Sequence, residues 1–439
     1  MAHGAVGRQE TFLFEHDDIH VSVYELFRCL GHAMDLVHPA LADHHKRTAF
    51  IAASMADEME LPCEDQKNLL LAGLIHDAGA FSLTEKLAVA RFDSEAVVPH
   101  CTAGYLLLRD YPSLAKIAQI VRHHHVSWKE RPMRKSAGDT ALKASHLLHL
   151  ADRVAVSLDD SSEPVSLGKE VVKKIRDESG KMLDPELVRV FEQVASRNAF
   201  WFGATSRRLD LDLDRLWRCS GDGGEMIALS DIESLFSRII DFRSRFTATH
   251  SKGVAAVSEA IAQLMGLNGA CRIVRAAGHL HDLGKLAVPK EILEAARPLT
   301  PEERELIRIH PYHTSQVLRT IDELHEVAMW SGFHHECLDG SGYPFHLQAD
   351  DLTTEARILA VADLFSALSE DRPYRSAMPR GDVIRILDRM ARDLKLDADI
   401  VALAITYYDE LDARRRAVQI RIEAEYDIFT ETMTSAVSH

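Results

Sequence analysis

His279-Leu280-His281-Asp282-Leu283-Gly284-Lys285 concentrates the chemistry of this chain. Its centre, His281-Asp282, sets a neutral nitrogen donor beside a hard oxygen able to bridge, a pair that suits a divalent first-row metal. A His-Asp doublet alone is weak in a chain with 24 His, so its weight comes from what lies at fixed distances around it. His250 stands 31 residues before His281, His310 stands 24 residues before His334, and Asp363 follows the His334-His335 doublet by 28 residues. The first half repeats this order. His45 stands 31 residues before His76-Asp77, His100 stands 24 residues before His124-His125, and Asp152 follows by 27 residues. Leu183-Asp184-Pro185 then answers Leu396-Asp397-Ala398. Unrelated core histidines have no reason to reproduce such spacing, so the chain reads as a tandem duplication of one domain.

That domain is helical. Leu69, Leu70, Leu74 and Ile75 lead into His76 at helical spacing, and Val254, Val257, Ile261 and Leu264 mark a second helix, whereas few stretches alternate as strands do. The expected class is all-α, two tandem helical domains related by duplication. The polar run Ser220-Gly221-Asp222-Gly223-Gly224 is the clearest break, giving an N-terminal domain over 1–219, a linker over 220–229 and a C-terminal domain over 230–439.

Composition bounds the function. The apolar share of 46% and charged share of 27% belong to a folded soluble chain, and no run of about 18 apolar residues offers a membrane span. Residues 1–10 lack the apolar core of a signal peptide, and six scattered cysteines form no CxxC pair, so a cytoplasmic protein with reduced thiols is expected. A net charge of -16 argues against binding a nucleic-acid polymer, although local cations could still hold a small anion.

In the second half the candidate ligands are His250, His281, Asp282, His310, His334, His335 and Asp363. Seven nitrogen and oxygen donors exceed one tetrahedral site but suit two octahedral ions sharing a bridge, which Asp282 would supply. The first half offers His45, His76, Asp77, His100, His124, His125 and Asp152 as a second metal site, while His44, His123 and His279 read as structural.

The second half resembles the HD-GYP phosphodiesterases: His281-Asp282-Leu283-Gly284-Lys285, Arg308-Ile309-His310-Pro311, His334-His335-Glu336, Asp339-Gly340-Ser341-Gly342-Tyr343-Pro344, and Ala362-Asp363 with Asp371-Arg372-Pro373-Tyr374-Arg375 carry the likeness. The resemblance implies an all-helical fold, iron or manganese at these seven ligands, and hydrolysis of cyclic di-GMP or 3',3'-cyclic GMP-AMP to a linear dinucleotide and onward to mononucleotides. Lys285 then reads as the residue that stabilises transition-state charge and Asp282 as the bridge that holds the nucleophile. Arg372 and Arg375 are expected to hold phosphate or guanine edges, and Tyr343, beside Gly342 in a loop of flexible glycines, to stack on a base. Phe246 stands where some members carry a glutamate for a third metal, so two ions are expected. Cys337-Leu338 and Phe345-His346 depart from the family pattern at positions that bear on base selectivity.

The first half resembles a plain HD domain, with Ala80 in the place of Lys285 and no Gly-Tyr-Pro loop, so no hydrolysis is expected there. Two other readings stay open. One is a non-catalytic cyclic-dinucleotide sensor or scaffold, and the other is an HD phosphohydrolase acting on another nucleotide. Beyond the dinucleotide, a second copy of the chain or a signalling protein is the expected kind of partner.

Overall fold

A computed structural model describes residues 19–82, 98–130, 139–158, 163–219, 225–242, 245–371 and 376–437. Six helices build the part of the first half that matters for the site: α1 (Val23–Asp35), α2 (His44–Glu58), α3 (Cys63–Ile75), α4 (Val98–Leu108), α5 (Ala115–His123) and α6 (Asp139–Val156). The second half repeats them as α7 (Leu229–Asp241), α8 (Arg245–Leu264), α9 (Cys271–Leu280), α10 (His310–Leu318), α11 (His325–Gly332) and α12 (Thr354–Ser369), and ends in the 30-residue α13 (Tyr408–Val437). The all-α expectation and the duplication both hold, since each helix of α1–α6 has its counterpart six places on.

Small residues set the central crossing of each half. A Cβ added at Gly73 of α3 would lie 2.5 Å from Ala49 Cα of α2, and one at Gly278 of α9 would lie 2.7 Å from Ala255 Cα of α8. Backbones therefore meet where any larger residue would force them apart, and this brings the start of α2 or α8 against the end of α3 or α9. Three of the histidine ligands sit at helix ends: His76 caps α3, His281 caps α9 and His124 caps α5.

The only sheet among the described residues has two short strands, and it joins the halves. β1 (His20–Ser22) pairs antiparallel with β2 (Met226–Ala228), His20 facing Ala228 and Ser22 facing Met226. Of the expected linker, 220–224 lie outside the described residues, while Met226–Ala228 are this strand and Leu229 already opens α7. Three short alternating residues gave too weak a period to be seen in the sequence. Each strand leads into a helix that crosses to the other half. α1 packs on α10 and on the 3₁₀ turn Leu283–Ala287, with Cys29 Sγ 3.5 Å from the Val317 carbonyl. In return, α7 and α13 pack on α4, where Arg238 donates to Asp110 Oδ2 at 2.9 Å and to the Leu106 carbonyl at 3.2 Å. No described helix is long and apolar enough to cross a membrane.

Gly284 explains how the Lys285 turn sits where it does. An added Cβ would lie 2.0 Å from the His310 carbonyl oxygen and 2.8 Å from Thr314 N, and the Gly284 amide donates to Thr314 Oγ1 at 2.8 Å. The glycine is there for this close approach of turn to α10. Gly284→Ala should therefore cost at least about 2 kcal/mol, since backbone on both sides leaves nothing flexible to yield. Chemical denaturation would read the loss, and an unchanged midpoint would contradict this packing.

Candidate metal centre

Backbone carbonyls orient the second-half histidines. The Nδ1 atoms of His281, His310 and His334 donate to the carbonyls of Gly278, Ile307 and Ser331 at 2.8, 2.7 and 2.6 Å, each three residues earlier on its own turn. A carbonyl only accepts, so each Nδ1 carries the proton and each Nε2 is left as a lone pair. These lone pairs converge. His310 Nε2 and His334 Nε2 face one another at 3.2 Å, and the buried His281 Nε2 has no hydrogen-bond partner. Two imine nitrogens at that distance repel unless a cation lies between them, and fixing the tautomer by the far nitrogen is how metal-binding histidines are held.

Asp282 divides the site. Its Oδ1 lies 3.2 Å from His310 Nε2, and its Oδ2 lies 3.3 Å from His281 Nε2. On the Oδ2 side His250, His281 and Asp363 bring donor atoms together, and His310, His334 and His335 do so on the Oδ1 side. All seven predicted ligands thus meet, in two groups with one carboxylate between them. His250 is fixed from both ends, with Nε2 3.1 Å from Asp363 Oδ1 and Nδ1 3.1 Å from Glu370 Oε1. Burial would by itself raise the Asp282 carboxyl, but its neighbours His281 and Lys285 hold it well below the usual carboxylate range. Burial, and then the neighbouring His335, push the His334 imidazole well below its ordinary value, and burial pushes His335 down to about 3. Ionised aspartate and neutral imidazole are the forms a cation binds. The residues fit metal.

Lys285 lies on the 3₁₀ turn rather than on a continued helix, and its Nζ donates to Asp282 Oδ2 at 2.6 Å. Beyond it, the mouth of the site is made by His335, whose side chain is 29% exposed, and by Tyr343, whose ring lies 4.9 Å from that of His335. The Arg308 guanidinium sits 4.5 Å from the centre of the Tyr343 ring. The loop that carries Tyr343 is pinned, contrary to the flexible reading of its glycines. A Cβ at Gly342 would lie 2.3 Å from Cys337 N, and Gly340 has φ +76°, which asks for glycine. Buried Glu336 clasps the far side, accepting from Phe345 N at 2.7 Å and Leu347 N at 3.0 Å. Glu336→Ala would strand two amides, each costing about 1–3 kcal/mol, and should loosen this loop while leaving metal content intact. A raised KM with unchanged bound metal is the expected outcome, and unchanged KM would remove Glu336 from loop placement.

Arg372 and Arg375 lie outside the described residues, as does the side chain of Phe246. His279 turns away from the cluster, its Nε2 3.6 Å from Glu233 Oε2, in keeping with its structural reading. Sequence reasoning missed Glu370, Glu336 and Arg308. Glu336 sat in the quoted His-His-Glu run, but only the folded loop gives it a task.

In the first half the repeat count pointed to His45, and the structure brings His44 into the cluster. His44 Nε2 lies 3.2 Å from His76 Nε2 and 3.5 Å from Asp152 Oδ1, matching His250 beside Asp363. His45 Nδ1 is instead bound to Asp35 Oδ1 at 2.6 Å. The reason is helix register. Ala49 meets Gly73 as Ala255 meets Gly278, and counting back five residues from each reaches His44 and His250. His76, Asp77, His100, His124, His125 and Asp152 lie together, as expected from the sequence.

Two models of a family described as HD domain match the chain, one over residues 41–157 and the other over 234–400. The 3'3'-cGAMP-specific phosphodiesterase 1 of Vibrio cholerae is 29% identical over 391 residues, which are 87% of this chain and 90% of that protein. The 3'3'-cGAMP-specific phosphodiesterase 3 of the same organism is 31% identical over 306 residues, 68% of this chain and 64% of its own length. The cyclic di-GMP phosphodiesterase response regulator RpfG of Xanthomonas campestris is 35% identical over 147 residues, 33% of this chain and 39% of its own. A crystal structure of a V. cholerae cyclic GMP-AMP specific phosphodiesterase superposes with a TM-score of 0.61 at 23% identity, covering 91% of this chain and 98% of that one, a likeness of fold. With two HD-domain matches in tandem and such relatives along most of its length, the chain belongs to the HD-GYP phosphodiesterase family, carrying a further HD domain ahead of the one that holds the Gly-Tyr-Pro loop.

Proposed function

We propose that the second half hydrolyses the phosphodiester of a cyclic dinucleotide, 3',3'-cyclic GMP-AMP in preference to cyclic di-GMP, with two divalent ions that Asp282 would hold together with His250, His281, Asp363, His310, His334 and His335. The observation that carries this is the division of Asp282, one oxygen toward His310 and the other toward His281. Every donor in the two groups is nitrogen or oxygen, which suits octahedral iron or manganese better than a thiolate-seeking metal. Such a pair, when bound, activates water near neutral pH and offsets charge on the phosphodiester.

The chain's own residues do the rest. Lys285, held at Asp282, presents an ammonium group to the charge that builds on the phosphoryl oxygens. Tyr343, held near the His335 ring and the Arg308 guanidinium, offers a fixed aromatic ring to a base at the open mouth. Arg372 and Arg375 are assigned to phosphate or guanine on family likeness alone. Linear dinucleotide is the product, with mononucleotides after a second cut, and the setting is cytoplasmic second-messenger signalling.

The preference for cyclic GMP-AMP rests on the two relatives that match most of this chain, both named for it. Steady-state hydrolysis of both dinucleotides by the metal-loaded full chain tests the preference. A higher kcat/KM for cyclic GMP-AMP is expected, and a higher value for cyclic di-GMP would reverse the assignment.

A further inference from the structure

The first half assembles the same donor set without the means to hydrolyse anything. Asp77 again divides a cluster: Oδ1 lies 3.4 Å from His100 Nε2 and 3.8 Å from His124 Nε2, while Oδ2 lies 3.5 Å from His76 Nε2 and 3.8 Å from His44 Nε2. The tautomers are set as in the other half. His76 Nδ1 donates to the Gly73 carbonyl at 2.9 Å and His124 Nδ1 to the Val121 carbonyl at 2.7 Å, so their Nε2 atoms face inward as lone pairs. His124 Nε2, His125 Nε2 and Asp77 Oδ1 are buried with no hydrogen-bond partner. Orphaned acceptors of this kind, converging in a dry interior, are costly unless a cation takes them.

The open side of the second-half site is filled here. His125 has a side chain only 5% exposed, against 29% for its counterpart His335. Arg153, in the place of Leu364, lays its guanidinium on Asp152 Oδ2, and the His149 ring, in the place of Ala360, lies 5.1 Å from that of His125. Among the described residues a phosphodiester finds no comparable mouth over this cluster, and Ala80 offers no ammonium.

This cluster also sits behind the surface that joins the halves. His100 belongs to α4, on which α7 and α13 pack. Asp35, at the end of α1, takes both the amide of His45 at 3.2 Å and its Nδ1, and α1 runs from there to the Lys285 turn. We infer that the first half binds divalent metal in its own closed centre, with His44, His76 and Asp152 on one side of Asp77 and His100, His124 and His125 on the other. This centre fastens α2, α3 and α4 as the platform on which the catalytic half rests. The inference does not depend on which nucleotide the second half cleaves.

The test is metal analysis of the full chain after loading with manganese(II) and desalting, for the wild type, Asp77→Ala and Asp282→Ala. Four ions are expected for the wild type and two for each variant. Chelation of the Asp282→Ala chain should also lower its melting temperature by about 5–10 °C, a readout that no catalytic step enters. If Asp77→Ala does not fold, the Asp282→Ala chain still decides: no bound manganese and an unchanged melting temperature would overturn the inference. Retention by Asp282→Ala of two ions that are lost when Asp77→Ala is added, alongside full hydrolysis, would leave the first-half centre standing and overturn the catalytic reading of the second.

Discussion

Asp282→Ala is expected to lose both the metal of the second half and its turnover, the latter by more than about 10³-fold. The reason is geometric. Asp282 sets one oxygen 3.2 Å from His310 Nε2 and the other 3.3 Å from His281 Nε2, so its removal takes a ligand from both groups at once. It also strands Lys285, whose ammonium is held at Asp282 Oδ2. Metal content and rate should fall together. A variant that keeps two ions on the second half and full activity would show that Asp282 is no bridge.

Lys285→Ala should separate the two readouts that Asp282→Ala joins. Lys285 offers no lone pair while protonated, so metal content is expected to stay, whereas kcat should fall by about 10²–10³-fold as the charge facing the phosphoryl oxygens is lost. Removing an ammonium from beside Asp282 should if anything tighten metal binding, since it takes away a positive charge that competes for the same carboxylate and repels the ions. Unchanged turnover would take Lys285 out of the mechanism. Loss of metal would make it a structural partner of Asp282 only.

Much of this site was legible in the chain because duplication prints it twice. The 24-residue interval from His310 to His334 recurs between His100 and His124, and a spacing repeated in this way carries information that a single histidine does not. The same counting failed at His45. An interval across a loop fixes position only if the loop length is unchanged, and the contacts of Ala49 and Ala255 place the register one residue away, at His44. Interactions across the fold were illegible for a simpler reason. Glu370 reaches His250 across 120 residues of chain, and Asp35 reaches His45 from a different helix, with no periodicity or motif linking either pair. The close packing of Gly284 was hidden likewise, since the His310 carbonyl that an added Cβ would strike lies on α10 and comes near only in the fold. The β1–β2 pairing was hidden because three residues are too few for a period to emerge.

Hydrolysis of a cyclic dinucleotide by the second half is open to one direct assay. Manganese-loaded wild-type, Asp77→Ala and Asp282→Ala chains would be incubated with 3',3'-cyclic GMP-AMP, and linear dinucleotide followed by chromatography. Product is predicted from the wild type, from Asp77→Ala at no less than about a tenth of that rate, and not from Asp282→Ala. Product from Asp282→Ala at the wild-type rate, or its absence from all three chains with both cyclic GMP-AMP and cyclic di-GMP, would contradict the account.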